Sequence, residues 1–275
     1  MENQLTPRLQ RVRTVDGVAI AYTTIGTGAT AVMALHGWGG AGSGHSWQEL
    51  VKHLDLTGLR FIAIDLRGHG ASDRPETGFD LEGFGRDVLA VADDAGVGRF
   101  ILAAYSMSGR WSQWIASRFP DRVLGQILIA PAPASVMPLS EELLEGWMHA
   151  TRTRESFGPW VNQFTSEPLA DDIVDAYFTD VSGASDHAKR ETFRMLCRDD
   201  FSDSVNTTAA GTLVLAGAHD PILSPDFLRQ EIVARIPGAR LVPIDCGHEI
   251  PVERPAQAAA AIEAFVAGLV AGVRV

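Results

Sequence analysis

An apolar run that ends in a serine between small residues is the tightest constraint this sequence places on its own fold. Leu102-Ala103-Ala104-Tyr105-Ser106-Met107-Ser108-Gly109 reads as a strand that turns directly into a helix. A reversal that sharp holds the serine in a strained backbone conformation with its Oγ exposed, and it admits only small side chains two positions to either side. Ala104 and Ser108 meet that demand where the G-x-S-x-G pattern carries glycine. Ser106 therefore reads as a nucleophile on an elbow, and an ordinary strand end with a serine capping the next helix is the alternative that the octapeptide alone leaves open.

The rest of the chain supplies a sheet for that elbow. Apolar runs at Ala31 to Leu35, Phe61 to Asp65, Phe100 to Tyr105, Val123 to Ala130, Leu213 to Ala216 and Leu241 to Ile244 alternate with helical patterns. Continuous apolar strands separated by helices imply a parallel sheet covered on both faces, so the class is α/β with a mostly parallel central sheet flanked by helices. Val12 to Val15 and Ala19 to Ile25, split by Asp16-Gly17, read as an antiparallel hairpin at the start of that sheet. Helices are expected near Ser46 to Leu54, Asp80 to Ala95, Gly109 to Phe119, Pro225 to Ile236 and Pro255 to Leu269.

The strand rhythm stops between Pro133 and Val205, where helical patterns carry Trp147, Met148, Phe157, Trp160, Phe164, Tyr177, Phe178, Phe193 and Met195. This segment reads as a helical cap inserted over the carboxyl edge of the sheet, dividing the core into residues 1–132 and 206–275 around a cap at 133–205. Most of its aromatic residues must hold the cap together, and Trp147, Phe157, Trp160 and Tyr177 are the candidates for a substrate pocket.

Charge narrows the partners. A formal net charge of −11 opposes binding to nucleic acid or to an anionic membrane, both of which need a basic surface. Cys197 and Cys246 are too few for a disulfide scaffold, and Cys246 reads as a small buried filler. Met1 to Val15 lacks the apolar core of a signal peptide, so a cytoplasmic location is expected. The Ala- and Val-rich stretch from Ala256 to Val275 is interrupted by Glu263 and repeats its bulky residues at helical spacing, which reads as a helix packed on the sheet and not a membrane anchor.

A serine hydroxyl needs a base within hydrogen-bond reach and an acid to orient that base. Two loops that follow strands supply them: Gly217-Ala218-His219-Asp220-Pro221 and Asp245-Cys246-Gly247-His248-Glu249. Ser106, Asp220 and His248 are the candidate nucleophile, acid and base, with Asp245 as the nearby decoy. His36-Gly37-Trp38-Gly39-Gly40 follows another strand, and its glycines let backbone N–H groups turn towards a site. The N–H groups of Trp38 and Met107 are the candidate oxyanion donors. The scattered histidines show no metal-binding spacing and the glycines no dinucleotide fingerprint, so neither a metal nor another cofactor is expected.

The segments His36-Gly37-Trp38-Gly39, Asp65-Leu66-Arg67-Gly68-His69-Gly70-Ala71-Ser72, Tyr105 to Gly109, His219-Asp220-Pro221 and Gly247-His248 together resemble the α/β-hydrolase superfamily, in its capped esterase, lactonase and perhydrolase-like group. The resemblance spans nearly the whole chain outside the cap. It implies that Asp65 to Ser72 is structural, and that serine at the elbow, where dehalogenating and epoxide-opening relatives carry aspartate, performs acyl chemistry. Ser108 departs from the family glycine and is read as bonding backbone in the first helical turn. The loop Gly40-Ala41-Gly42-Ser43-Gly44-His45 is long for the family, with His45 read as a solvated loop residue. Arg110, Arg152, Arg154, Arg190, Arg194 and Arg198 are expected to be mostly surface residues. The expected activity is hydrolysis of a small to medium, largely apolar ester or lactone. A ligand sensor that keeps the triad, and perhydrolysis, amide cleavage or carbon–carbon hydrolysis by the same residues, are the alternatives.

Overall fold

The computed structural model of the protein describes residues 7–42 and 44–273. Parts of the N-terminal polar segment, Ser43 of the glycine-rich loop and the end of the C-terminal apolar stretch lie outside the described residues. Strands β1 (Arg8–Arg13), β2 (Ala19–Ile25), β3 (Thr30–Leu35), β4 (Leu59–Ile64), β5 (Phe100–Tyr105), β6 (Val123–Ile129), β7 (Gly211–Gly217) and β8 (Arg240–Ile244) form one sheet in the order β1-β2-β4-β3-β5-β6-β7-β8. β2 pairs antiparallel with both β1 and β4, and every other pairing is parallel.

Alternation along each strand divides the core. In β5, Phe100, Leu102 and Ala104 face one layer while Ile101, Ala103 and Tyr105 face the other. The first layer is closed by α2 (Leu81–Asp94) and α3 (Ser108–Arg118), where Phe84 stacks on Trp111 at 4.0 Å. α2 begins on a side-chain cap, Asp80 accepting from the Gly83 N–H. The second layer is closed by α1 (His45–Val51) through Trp47 and Leu50, and by the C-terminal helix through Ile262, Phe265 and Val266. That C-terminal helix, Pro255–Val273, lies against β6, β7 and β8. Among the described residues no helix is long and apolar enough to cross a membrane.

Between β6 and β7 the chain forms α4 (Glu141–Ala150), α5 (Arg154–Val161), α6 (Asp171–Gly183) and α7 (Asp186–Arg198). They build small cores of their own, one around Phe157, Val174 and Tyr177 and another around Leu144, Met148 and Phe193. Met195 and Leu196 of α7 join the first layer of the sheet.

Away from the site, the sequence reading differs from the fold in three places. The first strand of the hairpin is Arg8–Arg13 and not Val12 to Val15: Thr14 bonds to Val18 through both backbone and hydroxyl, and this turn leaves Val15 93% exposed. The helix expected from Pro225 to Ile236 is α8 (Pro225–Leu228) followed by a π-turn over Arg229–Val233. Arg110 is fully buried, because its Nη1 reaches back from α3 to the carbonyls of Pro133 (2.8 Å) and Ser135 (2.6 Å), where the chain leaves the sheet.

Candidate active site

Ser106 follows β5 at φ +54°, the left-handed region that a side chain rarely occupies. Neighbouring backbone holds it there. Its N–H donates to the Ile129 carbonyl at 2.8 Å, and its own carbonyl accepts from Gly109 and Ala132, each at 2.9 Å. Glycine is required at 109, since a Cβ there would stand 2.4 Å from Cβ of Pro131. Ser108, fully buried, donates its hydroxyl to the Leu35 carbonyl (2.7 Å) and accepts from the Tyr105 N–H (3.1 Å), so it joins the ends of β3 and β5.

His248 and Asp220 reach the same point from loops beyond β8 and β7. His248 Nε2 is 2.9 Å from Ser106 Oγ, and its Nδ1 is 2.6 Å from Asp220 Oδ2. Burial works against a charge on His248, but the adjacent Asp220 outweighs it and holds the imidazole pKa above its ordinary value. Burial alone would raise Asp220; the charge and hydrogen bond of His248 hold that carboxyl below the usual range. Asp245 is elsewhere, 82% exposed and paired with His219 at 2.9 Å. Cys246 is buried, and burial pushes its thiol up to about 12.

Trp38 lies beyond β3. Among the described residues, neither its backbone N–H nor that of Met107 has a protein acceptor. The loop is anchored by buried His36, whose Nδ1 bonds the Gly37 carbonyl at 2.8 Å and whose Nε2 accepts from the Leu66 N–H at 3.1 Å. Asp65 to Ser72 serves the scaffold: Asp65 accepts from the N–H groups of Gly42 and Ala71, each at 2.7 Å, and buried Arg67 pairs with buried Asp87 at 2.6 Å.

Two cavities meet at Ser106 and His248. One, of about 80 Å³, is lined by all four aromatic residues singled out above, Trp147, Phe157, Trp160 and Tyr177. The other, of about 390 Å³, is apolar and includes Met137, Leu139, Leu143, Leu196 and Leu223. Trp38, Trp147 and Trp160 form the wall between them, with ring centroids 5.1 Å (Trp38 to Trp147) and 5.6 Å (Trp147 to Trp160) apart. Among the described residues no Lys or Arg lines either cavity. Arg154, Arg190, Arg194 and Arg198 of the insertion pair instead with carboxylates, as Arg194 does with Glu141 and Arg154 with Asp171.

Five contacts were invisible to sequence reasoning. Glu249 Oε2 accepts from the hydroxyls of Tyr105 (2.5 Å) and Tyr177 (2.8 Å), and Tyr177 also accepts from Ser46 Oγ at 3.0 Å. The insertion grips both functional loops, through His248 N–H to the Phe164 carbonyl at 2.6 Å and Trp38 Nε1 to the Lys189 carbonyl at 2.7 Å. A buried tyrosine beside the elbow was the one available signal, since its hydroxyl must find a partner. His45, read as a solvated loop residue, instead begins α1 with its ring 5.7 Å from that of Tyr177 and its N–H on Asp180 at 2.7 Å.

The family model for the alpha/beta hydrolase fold matches residues 30–255, and the chain belongs to that family. It is 26% identical over 265 residues to 3-oxoadipate enol-lactonase 2 of Acinetobacter baylyi, a match covering 92% of this chain and 95% of that one. To the non-heme haloperoxidase of Rhodococcus erythropolis it is 26% identical, covering 82% and 87%. The solved esterase of Exiguobacterium antarcticum superimposes with a TM-score of 0.84 over 94% of this chain and 98% of its own; at 20% identity that likeness speaks for the fold alone.

Proposed function

We propose that this chain is a serine hydrolase that cleaves a small to medium, largely apolar carboxylic ester or lactone through an acyl-Ser106 intermediate. The observation that carries the reading is the contact of His248 with Ser106 Oγ at one ring nitrogen and with Asp220 at the other. His248 Nε2 takes the hydroxyl proton as Oγ attacks the carbonyl carbon, and Asp220 stabilises the imidazolium that forms. The oxyanion is met by the N–H groups of Trp38 and Met107. His248 then returns the proton to the departing alkoxide, which leaves as the alcohol or, for a lactone, stays as the hydroxyl end of the opened chain, and the acyl group stays on Ser106. Water, deprotonated by His248, releases the acid and regenerates Ser106.

Residues 133–205 act in this reading as a cap whose aromatic residues select the substrate. The enol-lactonase relative supports a cyclic ester as well as an open one. Its substrate, by name, derives from a dicarboxylic acid, and because no Lys or Arg lines either cavity among the described residues, only the lactone bond is carried over. The test is a panel of nitrophenyl esters and lactones with the purified protein, followed by mass spectrometry of Ser106. Steady multiple turnover with a transient acyl-Ser106 is expected. A permanent adduct after one turnover, with no steady-state hydrolysis, would favour a ligand sensor, and preferential formation of peracid on adding hydrogen peroxide would favour perhydrolysis.

A further inference from the structure

The two cavities at Ser106 differ in chemistry, and the difference assigns a substrate class. The larger is walled by Met and Leu side chains. The smaller is also walled largely by aromatic and aliphatic side chains, but it alone has Glu249, Asp180, Tyr105, Tyr177 and Ser46 among its lining residues. Glu249, only 8% exposed, spends Oε2 on the two tyrosines; among the described residues no protein donor reaches Oε1. Among the described residues, Asp180 accepts from one backbone N–H, that of His45.

We infer that the smaller cavity receives a substrate group that donates hydrogen bonds and carries no negative charge, a hydroxyl or an ammonium, and that Glu249 is the residue that selects it. This rests on the acyl-serine reading above. A carboxylate placed there would face two carboxyls with no Lys or Arg among the described lining residues to offset them, in surroundings where like charges are weakly screened. A bare alkyl group would strip water from Glu249 without replacing its hydrogen bonds. A donor satisfies the free carboxylate oxygen, and a cation is also attracted to aromatic rings such as Trp160 and Phe157, which line the cavity. The substrate is then two-sided about its scissile carbonyl, with a short donor-bearing arm and a longer apolar one.

The test is a matched series of propyl, hydroxypropyl, dimethylaminopropyl and carboxyethyl butanoates, followed by proton release. A second series places the same four groups on the acyl half, because either half of an ester can enter the smaller cavity. In one of the two series the hydroxyl and ammonium esters should exceed the alkyl ester in kcat/KM, and the carboxylate ester should trail the ammonium ester by at least about tenfold. Glu249→Gln and, as a second variant, Asp180→Asn should each shrink that ratio, with a thermal melt reporting whether each variant is folded. A carboxylate ester that matches the others in both series, donor esters no better than alkyl, or a ratio unmoved in every folded variant would overturn the inference. Absence of turnover with every ester would instead refute the acyl-serine reading. Quenching of tryptophan fluorescence by propanol, trimethylammonium and propanoate then judges this inference alone, with tightest binding of propanoate overturning it.

Discussion

Asp220 divides its two carboxylate oxygens between its own loop and His248. Oδ1 accepts from the N–H groups of Ile222 (2.8 Å) and Leu223 (2.9 Å), while Oδ2 meets His248 Nδ1 at 2.6 Å. The loop bonds fix the carboxyl plane, so the oxygen offered to the imidazole is already aimed before any substrate arrives.

Asp220→Asn should therefore keep the loop and lose the charge. We expect kcat to fall by several orders of magnitude with KM little changed, because the aspartate acts on an imidazolium that exists only during reaction. The acid limb of kcat/KM in the wild type should lie above the ordinary histidine value of 6.5, since Asp220 raises His248 and only the neutral ring accepts the serine proton. In any residual activity of the variant the limb should move down, because burial is then opposed only by the more distant charges of Glu249 and Glu253. A pH–rate profile of both proteins checks this, and greater damage from Asp245→Asn would reject the choice of acid.

Ser106→Ala should abolish turnover and leave the melting temperature close to wild type. Ser106→Gly should abolish turnover too, and it should also stabilise the fold by roughly 1 kcal/mol, because glycine accepts positive φ without strain. Denaturant titration of the two variants separates loss of the hydroxyl from relief of the backbone.

Ser108→Ala removes the hydroxyl that links the Leu35 carbonyl to the Tyr105 N–H. Leaving those buried groups unpaired should cost about 1–3 kcal/mol of stability. Activity of the folded variant should fall far less than in Ser106→Ala; equal loss would mean that Ser108 takes part in the chemistry.

Trp147→Ala and Trp160→Ala open the wall between the two cavities. Both should shift the preferred acyl length upward in a nitrophenyl ester series, and an unchanged length profile would reject a selecting role for the insertion.

His36 and His69 are fully buried, and burial pushes them down to about 4 and about 3; the neighbouring His36 ring also lowers His69. Unfolding restores the ordinary 6.5, so below that pH the unfolded chain binds protons that the folded one refuses. Their contribution to stability falls as the pH drops through that window, on the order of 1.4 kcal/mol per pH unit for each ring. Nuclear magnetic resonance of the ring carbons should show both still neutral at about pH 5. A midpoint near the ordinary histidine value would reject this.

Much of this arrangement was legible because apolar strands and their terminal loops leave a pattern. Ser106, Asp220 and His248 each follow such a strand, and the parallel sheet brings all three loops to its carboxyl edge. β1 was misplaced for the opposite reason. Arg8, Gln10, Arg11 and Arg13 keep this edge strand almost wholly exposed, so no buried face marks it in the sequence. Glu249 was unreadable because a glutamate after a loop histidine looks like surface, and it becomes a buried acceptor only where Tyr105 at the elbow and Tyr177, brought over by the insertion from 72 residues away, both donate to it.

The grip of the insertion on both loops has a mechanical consequence. The residue that offers the proposed oxyanion N–H, Trp38, is tied by its indole to the Lys189 carbonyl, and His248 is tied by its backbone to Phe164. In the proposed reading, any swing of the helices wide enough to admit a bulky ester would pull on donor and base together. Access and reactivity would then be alternate states of one machine, the chain disarmed while its mouth is open and attacking only what it has already enclosed.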